Sequence, residues 1–275
     1  MVTIYTVHYN RLEFLPLQWE QLKKHCKDEF TYFVINNGID VETRDKISEY
    51  CKSNAIKEII IDQESRREYC SHDHIVALDH AYKNYIAKDL SDIRIVMDND
   101  VIPYKNFSFY DIIGEHDIAG FYLHSIIDYS SAIFTMYSKS VDLVDFKING
   151  NFGDSGSGTG NLIRDNNYSV AWVDLTTPMK EPEGKYIFSQ TKEGALPYNP
   201  SYWLQFIAHC FIHFYRGTGW DNRDPNHYTS KMNFFLHFLN NPELYNPKLD
   251  EFSHYPRAHM DEWIWRDEYK LYKVL

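Results

Sequence analysis

The stretch Ile93-Arg94-Ile95-Val96-Met97-Asp98-Asn99-Asp100-Val101 runs an apolar strand straight into two acids one residue apart. A run this apolar, interrupted only by Arg94, suits a strand covered on both faces, as in a parallel sheet flanked by helices. The preceding residues repeat the theme. Short β-branched runs at 2–7 (VTIYTV), 31–35 (TYFVI) and 56–62 (IKEIIID) alternate with helical spacing of apolar residues at 12–27, 41–53 and 74–88. Strands linked by crossover helices follow, and with them a mostly parallel, Rossmann-like α/β sheet.

Beyond the fourth strand the pattern changes. Residues 118–124 and 132–137 read as antiparallel additions, and a Gly-rich loop leads into a helix at 159–165 and a strand at 170–174. Residues 176–200 carry Pro, Gly and Lys with little periodicity, as in a long lid-like loop. After a helix at 229–240 the chain ends in a Trp- and Tyr-rich tail. The expected organisation is an α/β domain over 1–216 and a helical, aromatic extension over 217–275. The apolar stripes Phe234-Phe235-Leu236 and Trp263-Ile264-Trp265 read as core.

Composition excludes several partners. Net charge is −11 and the basic residues are scattered, so nucleic acid is not an expected ligand. Cys26, Cys51, Cys70 and Cys210 form no CxxC pair or zinc-ribbon spacing, and read as free thiols in a reducing compartment. The start MVTIYTVHYN lacks the basic and apolar parts of a signal peptide, and no stretch has transmembrane character. A soluble cytoplasmic protein, or one peripheral to a membrane, is the expectation.

The segment Gly153-Asp154-Ser155-Gly156-Ser157-Gly158-Thr159-Gly160 offers three chemistries, of which none survives as first read. A chymotrypsin-like serine would follow its histidine in the chain, whereas Ala208-His209-Cys210 comes later here. A Walker loop needs a lysine before Thr159, and a dinucleotide fingerprint needs glycines after the first strand, where Val7-His8-Tyr9-Asn10 has none.

Asp98 and Asp100 are the stronger signal. Strand side chains alternate, so the two carboxylates can point the same way at the carboxyl end of the sheet, where ligands of open α/β sheets bind. Acids so placed repel unless a divalent cation joins them, and Mn²⁺ or Mg²⁺ suits oxygen ligands together with a diphosphate. Alone, such a triplet is more often a solvated turn.

The chain as a whole resembles the nucleotide-sugar-dependent glycosyltransferases of GT-A fold, and is most similar to the large inverting family 2 type. The residues that carry the resemblance are Thr6-Val7-His8-Tyr9-Asn10, Ile35-Asn36-Asn37-Gly38, the IVMDNDV segment as the family's DxD motif, and Asp154 with the following Asn161-to-Val170 stretch. The likeness covers roughly residues 2–216. It implies transfer of a sugar from a nucleoside-diphosphate donor, with UDP the first candidate, to a glycan hydroxyl. Asp100 is then a metal ligand, and Asp98 binds metal, ribose or donor sugar. His213 (with His209 behind it) supplies a third metal ligand or is a packed core residue, and Thr6, His8, Tyr9 and Asn37 contact the donor.

Asp154 becomes the general base of an inverting reaction, or a cap on the helix after it. Most of the family has Glu-Asp where this chain has Gly153-Asp154. Arg66 and its neighbour Arg67 either meet the diphosphate or are solvated, Arg216 meets phosphate or a surface carboxylate, and Ser71-His72-Asp73-His74 caps a helix or touches donor. The alternatives are a sugar-nucleotide nucleotidyltransferase, against which the missing basic Gly-rich loop speaks, and a non-catalytic carbohydrate-binding protein of the same fold.

Overall fold

A computed structural model describes residues 1–61, 70–120, 133–146, 157–173, 175–176, 190–191, 194–195, 204–214 and 225–242. The chain forms two compact units, the first made of 1–102 with 106–173 and the second of 103–105 with 174–275.

The first unit is an α/β sandwich around a seven-stranded sheet. In chain order its elements are β1 (Val2–His8), α1 (Phe14–His25), β2 (Phe30–Asn36), α2 (Val41–Ser53), β3 (Lys57–Ile60), α3 (Cys70–Asn84) and β4 (Ile93–Met97). The chain continues through β5 (Val101–Pro103), α4 (Phe109–Ile113), β6 (Ile118–Gly120), β7 (Phe134–Ser138), α5 (Ser157–Asn166) and β8 (Val170–Trp172). The sheet order is β3-β2-β1-β4-β7-β6-β8. All neighbours pair parallel except β7, which is antiparallel to both β4 and β6. The expected mostly parallel sheet is therefore present. The expectation of antiparallel additions holds for β7 but not for β6, which runs with β8 and the first four strands. Residues 121–132, part of that expectation, lie outside the described set.

Local chemistry explains the elements. Every residue of β1 and β4 is buried, as a two-sided sheet requires. Arg94 in β4 tolerates this because its Nη2 donates to the carbonyls of Ser138 at 2.7 Å and Val141 at 2.6 Å. Pro16 falls in the first turn of α1, where a missing amide costs nothing, and Lys23, Lys24 and His25 sit at its carboxyl end, favoured by the helix dipole. Asp40 caps α2 by accepting from the Thr43 amide at 2.7 Å. Between α3 and β7 the core carries a polar thread: Tyr82 Oη donates to Tyr137 Oη at 2.9 Å, and Tyr137 Oη meets Thr159 Oγ1 of α5 at 2.9 Å. Among the described residues no helix is long and apolar enough to cross a membrane. Cys26, Cys51 and Cys210 carry free thiols.

The second unit contains β9 (Leu175–Thr176), β10 (Gln190–Thr191), β11 (Gly194–Ala195), β12 (Leu204–Ile207), β13 (Phe211–Phe214) and α6 (Pro225–Asn240). Within it β12 pairs antiparallel with both β13 and β9. Phe235 of α6 is fully buried and meets Phe214 edge-on at 5.3 Å, in line with a core role for that residue, whereas Leu236 is only half-buried. Ala208-His209-Cys210, the apparent protease motif, is part of the tight turn of the β12–β13 hairpin. The Cys210 amide donates to Ile207 O at 3.2 Å, and Ala208 and His209 both have positive φ, 52° and 54°. Trp263-Ile264-Trp265 and most of 217–275 lie outside the described residues.

Candidate functional site

The order β3-β2-β1-β4 means that the chain winds outward from β1 to β3 and returns on the other side at β4, so the sheet's switch point lies between β1 and β4. The carboxyl ends of those two strands are where such sheets bind ligands. β1 ends there at His8, and β4 delivers Asp98, Asn99 and Asp100. Asn99 and Asp100 are buried, whereas the side chain of Asp98 is about a quarter exposed.

A compact turn holds the acids. The Val101 amide donates to Asp98 O at 3.2 Å, and the Asp98 amide to Ile133 O at 2.9 Å, just before β7. One carboxylate oxygen of Asp98 and one of Asp100 lie within 4.8 Å of each other. A hard divalent ion with ligands at roughly 2.0–2.1 Å spans donors about 4.2 Å apart, so these two carboxylates could share such an ion. His213, in β13 of the second unit, is buried.

His8 is fully buried, and desolvation pushes its pKa down to about 3, the charge of Asp100 opposing the shift only in part. It is a neutral imidazole at pH 7. Its Nε2 lies 3.5 Å from the Tyr32 hydroxyl, while its Nδ1, like the Asn99 side-chain amide, has no hydrogen-bond partner among the described residues. Buried polar atoms left over in this way, next to two acids, fit a site that takes a polar ligand.

A second polar cluster lies at the ends of β1 and β2. Asn37, whose own amide donates to His8 O at 2.9 Å, donates through Nδ2 to Asp73 O at 3.0 Å, and Tyr9 Oη donates to Asp73 Oδ2 at 3.3 Å. Asp73 is buried in the first turn of α3, and the next residue, His74, places Nε2 3.5 Å from Asp98 Oδ1. Of the residues that the sequence singled out, His8, Tyr9, Asn37, Asp98 and Asp100 thus share one sheet edge. Thr6 is fully buried inside β1. Asp154, Arg66, Arg67 and Arg216 lie outside the described residues.

Sequence reasoning left two participants unplaced or unnamed. His74 belonged to a polar cluster read as a helix cap or donor contact, not as a neighbour of Asp98. Gln18 gave no signal at all, because one glutamine in an amphipathic helix reads as solvated; it is in fact fully buried against the acid-bearing turn, with Nε2 2.8 Å from Asp98 O.

Neither a family model nor a curated protein matches the chain. Among solved structures, the mannosyltransferase PcManGT from Pyrobaculum calidifontis, in complex with GDP-Man and Mn²⁺, is similar with a TM-score of 0.44 and 9% identity, covering 62% of this chain and 54% of that one. The chain thus spans about half the length of that enzyme.

Proposed function

We propose that the protein is a metal-dependent glycosyltransferase of GT-A type, moving a sugar from a nucleoside diphosphate, UDP first among candidates, to a glycan hydroxyl. The observation that carries this reading is the pairing of the Asp98 and Asp100 carboxylates at the switch point of a mostly parallel sheet. Residues 1–216 form the proposed catalytic domain and 217–275 its extension.

When bound, Mn²⁺ would supply Lewis-acid neutralisation of the charge that develops on the departing diphosphate. The chain's own residues do the rest. Asp100 and His213 hold the ion, and Asp98 joins them or turns to the donor's ribose. Thr6, His8, Tyr9 and Asn37 form the donor side, Arg66 meets the diphosphate, and a neutral His8 adds no cation to compete with the metal. In the transfer the acceptor oxygen bonds to the anomeric carbon as the bond from that carbon to the diphosphate oxygen breaks, its electron pair leaving with the nucleoside diphosphate. The acceptor proton passes to the carboxylate of Asp154, on the face opposite the leaving group, with inversion.

Release of nucleoside diphosphate from UDP-, GDP- and dTDP-sugars, measured with and without Mn²⁺, tests this. Slow Mn²⁺-dependent release with one donor, lost in Asp100→Ala, is the expected result. Absence of release and of donor binding across all three would overturn it.

A further inference from the structure

Gln18 lies in the middle of α1 and is fully buried, a costly place for a carboxamide unless every polar atom is partnered. Here they are well used. Nε2 donates to Asp98 O at 2.8 Å and to Val101 O at 2.9 Å, and Oε1 accepts from the Tyr32 hydroxyl at 2.6 Å. The partners fix the amide's orientation, since a flipped group would set its oxygen against two carbonyl oxygens. One side chain therefore ties down both ends of the four-residue turn that carries the two acids. Through Tyr32, whose hydroxyl lies 3.5 Å from His8 Nε2, the same tie reaches the end of β1.

We infer that Gln18 is a positioning residue which, through its double hydrogen bond to the Asp98–Val101 turn, sets the spacing of the Asp98 and Asp100 carboxylates for a divalent ion. This rests on the metal reading above. An apolar side chain of the same size would fill the space equally well but remove all three hydrogen bonds and leave the turn free to relax.

Calorimetric titration of the full chain with Mn²⁺ alone, at a temperature where each variant is folded, tests the inference. Gln18→Leu is expected to bind Mn²⁺ about tenfold more weakly, ~1.4 kcal/mol. Tyr32→Phe, which removes only the hydroxyl that orients the amide, is expected to lose about threefold, and it decides the matter alone if Gln18→Leu does not fold. Thr3→Val breaks the buried 2.6 Å contact with Ser91 near the amino end of β1, and should lower stability while leaving Mn²⁺ affinity unchanged. Wild-type affinity in Gln18→Leu and Tyr32→Phe, or an equal loss in Thr3→Val, overturns the inference and leaves the metal site standing. Failure of the wild type to bind Mn²⁺ overturns the metal reading, and the inference with it.

Discussion

His74 Nε2 lies 3.5 Å from Asp98 Oδ1, so the first acid of the triplet is met by a side chain from the start of α3 while Asp100 sits deeper in the protein. In the proposed metal site a partner of this kind would orient the Asp98 carboxylate, and such partners are worth about ten- to a hundredfold in metal affinity. His74→Ala should weaken Mn²⁺ binding about tenfold in a titration. Tighter binding would mean that His74 competes with the ion.

The buried His8 makes stability pH-dependent. Its pKa is near 3 in the folded chain and about 6.5 when unfolded, so below pH 6.5 the unfolded state takes up a proton that the folded state refuses. The contribution is intact above pH 6.5 and is lost as pH falls towards 3. Urea denaturation of the wild type and His8→Gln at pH 7 and pH 5 should differ by roughly 1–2 kcal/mol in their pH response, with the wild type losing more. Equal losses would show that His8 does not stay neutral.

Gly38 closes the turn after β2, and a methyl group there would stand 2.7 Å from the Arg44 backbone nitrogen and 2.6 Å from its Cγ. The side-chain atom can move but the backbone of α2 cannot. Gly38→Ala is therefore expected to cost about 1–3 kcal/mol in chemical denaturation.

Tyr137 links α3 to α5 through its hydroxyl. Tyr137→Phe leaves the Tyr82 and Thr159 hydroxyls without that shared partner in the core, at about 1–3 kcal/mol. Hydrogen exchange should locate the loss in α5, the helix just after the proposed base. Uniform loss across the sheet would argue against this local anchoring.

At the β12–β13 turn, Ala208 has φ 52°, a conformation that costs a non-glycine residue about 1–2 kcal/mol. Glycine removes that cost and gives back roughly 0.5–1 kcal/mol through a more flexible unfolded chain. Ala208→Gly should be net stabilising by about 0.5 kcal/mol, read as a rise in Tm.

Much of this was legible from the amino acids alone. The bounds of α2 and β4 agree with the sequence reading because each is set by strong local signals, a capping Asp40 in one and a largely apolar run ended by acids in the other. The direction of β6 was not legible, since three apolar residues say nothing about which neighbour they will pair with. Likewise α3 begins at Cys70, four residues before its apolar periodicity. Gln18 was invisible for a deeper reason: its partners are backbone carbonyls 80 and 83 residues away, and backbone leaves no mark in composition.

One consequence follows from the reversed β7. A strand that runs against its neighbours starts where they finish, so the polypeptide departs from the acid-bearing rim at Gly120 and comes back to it at Ile133. The chain between those two points can change in length without disturbing one pairing register of the sheet beneath.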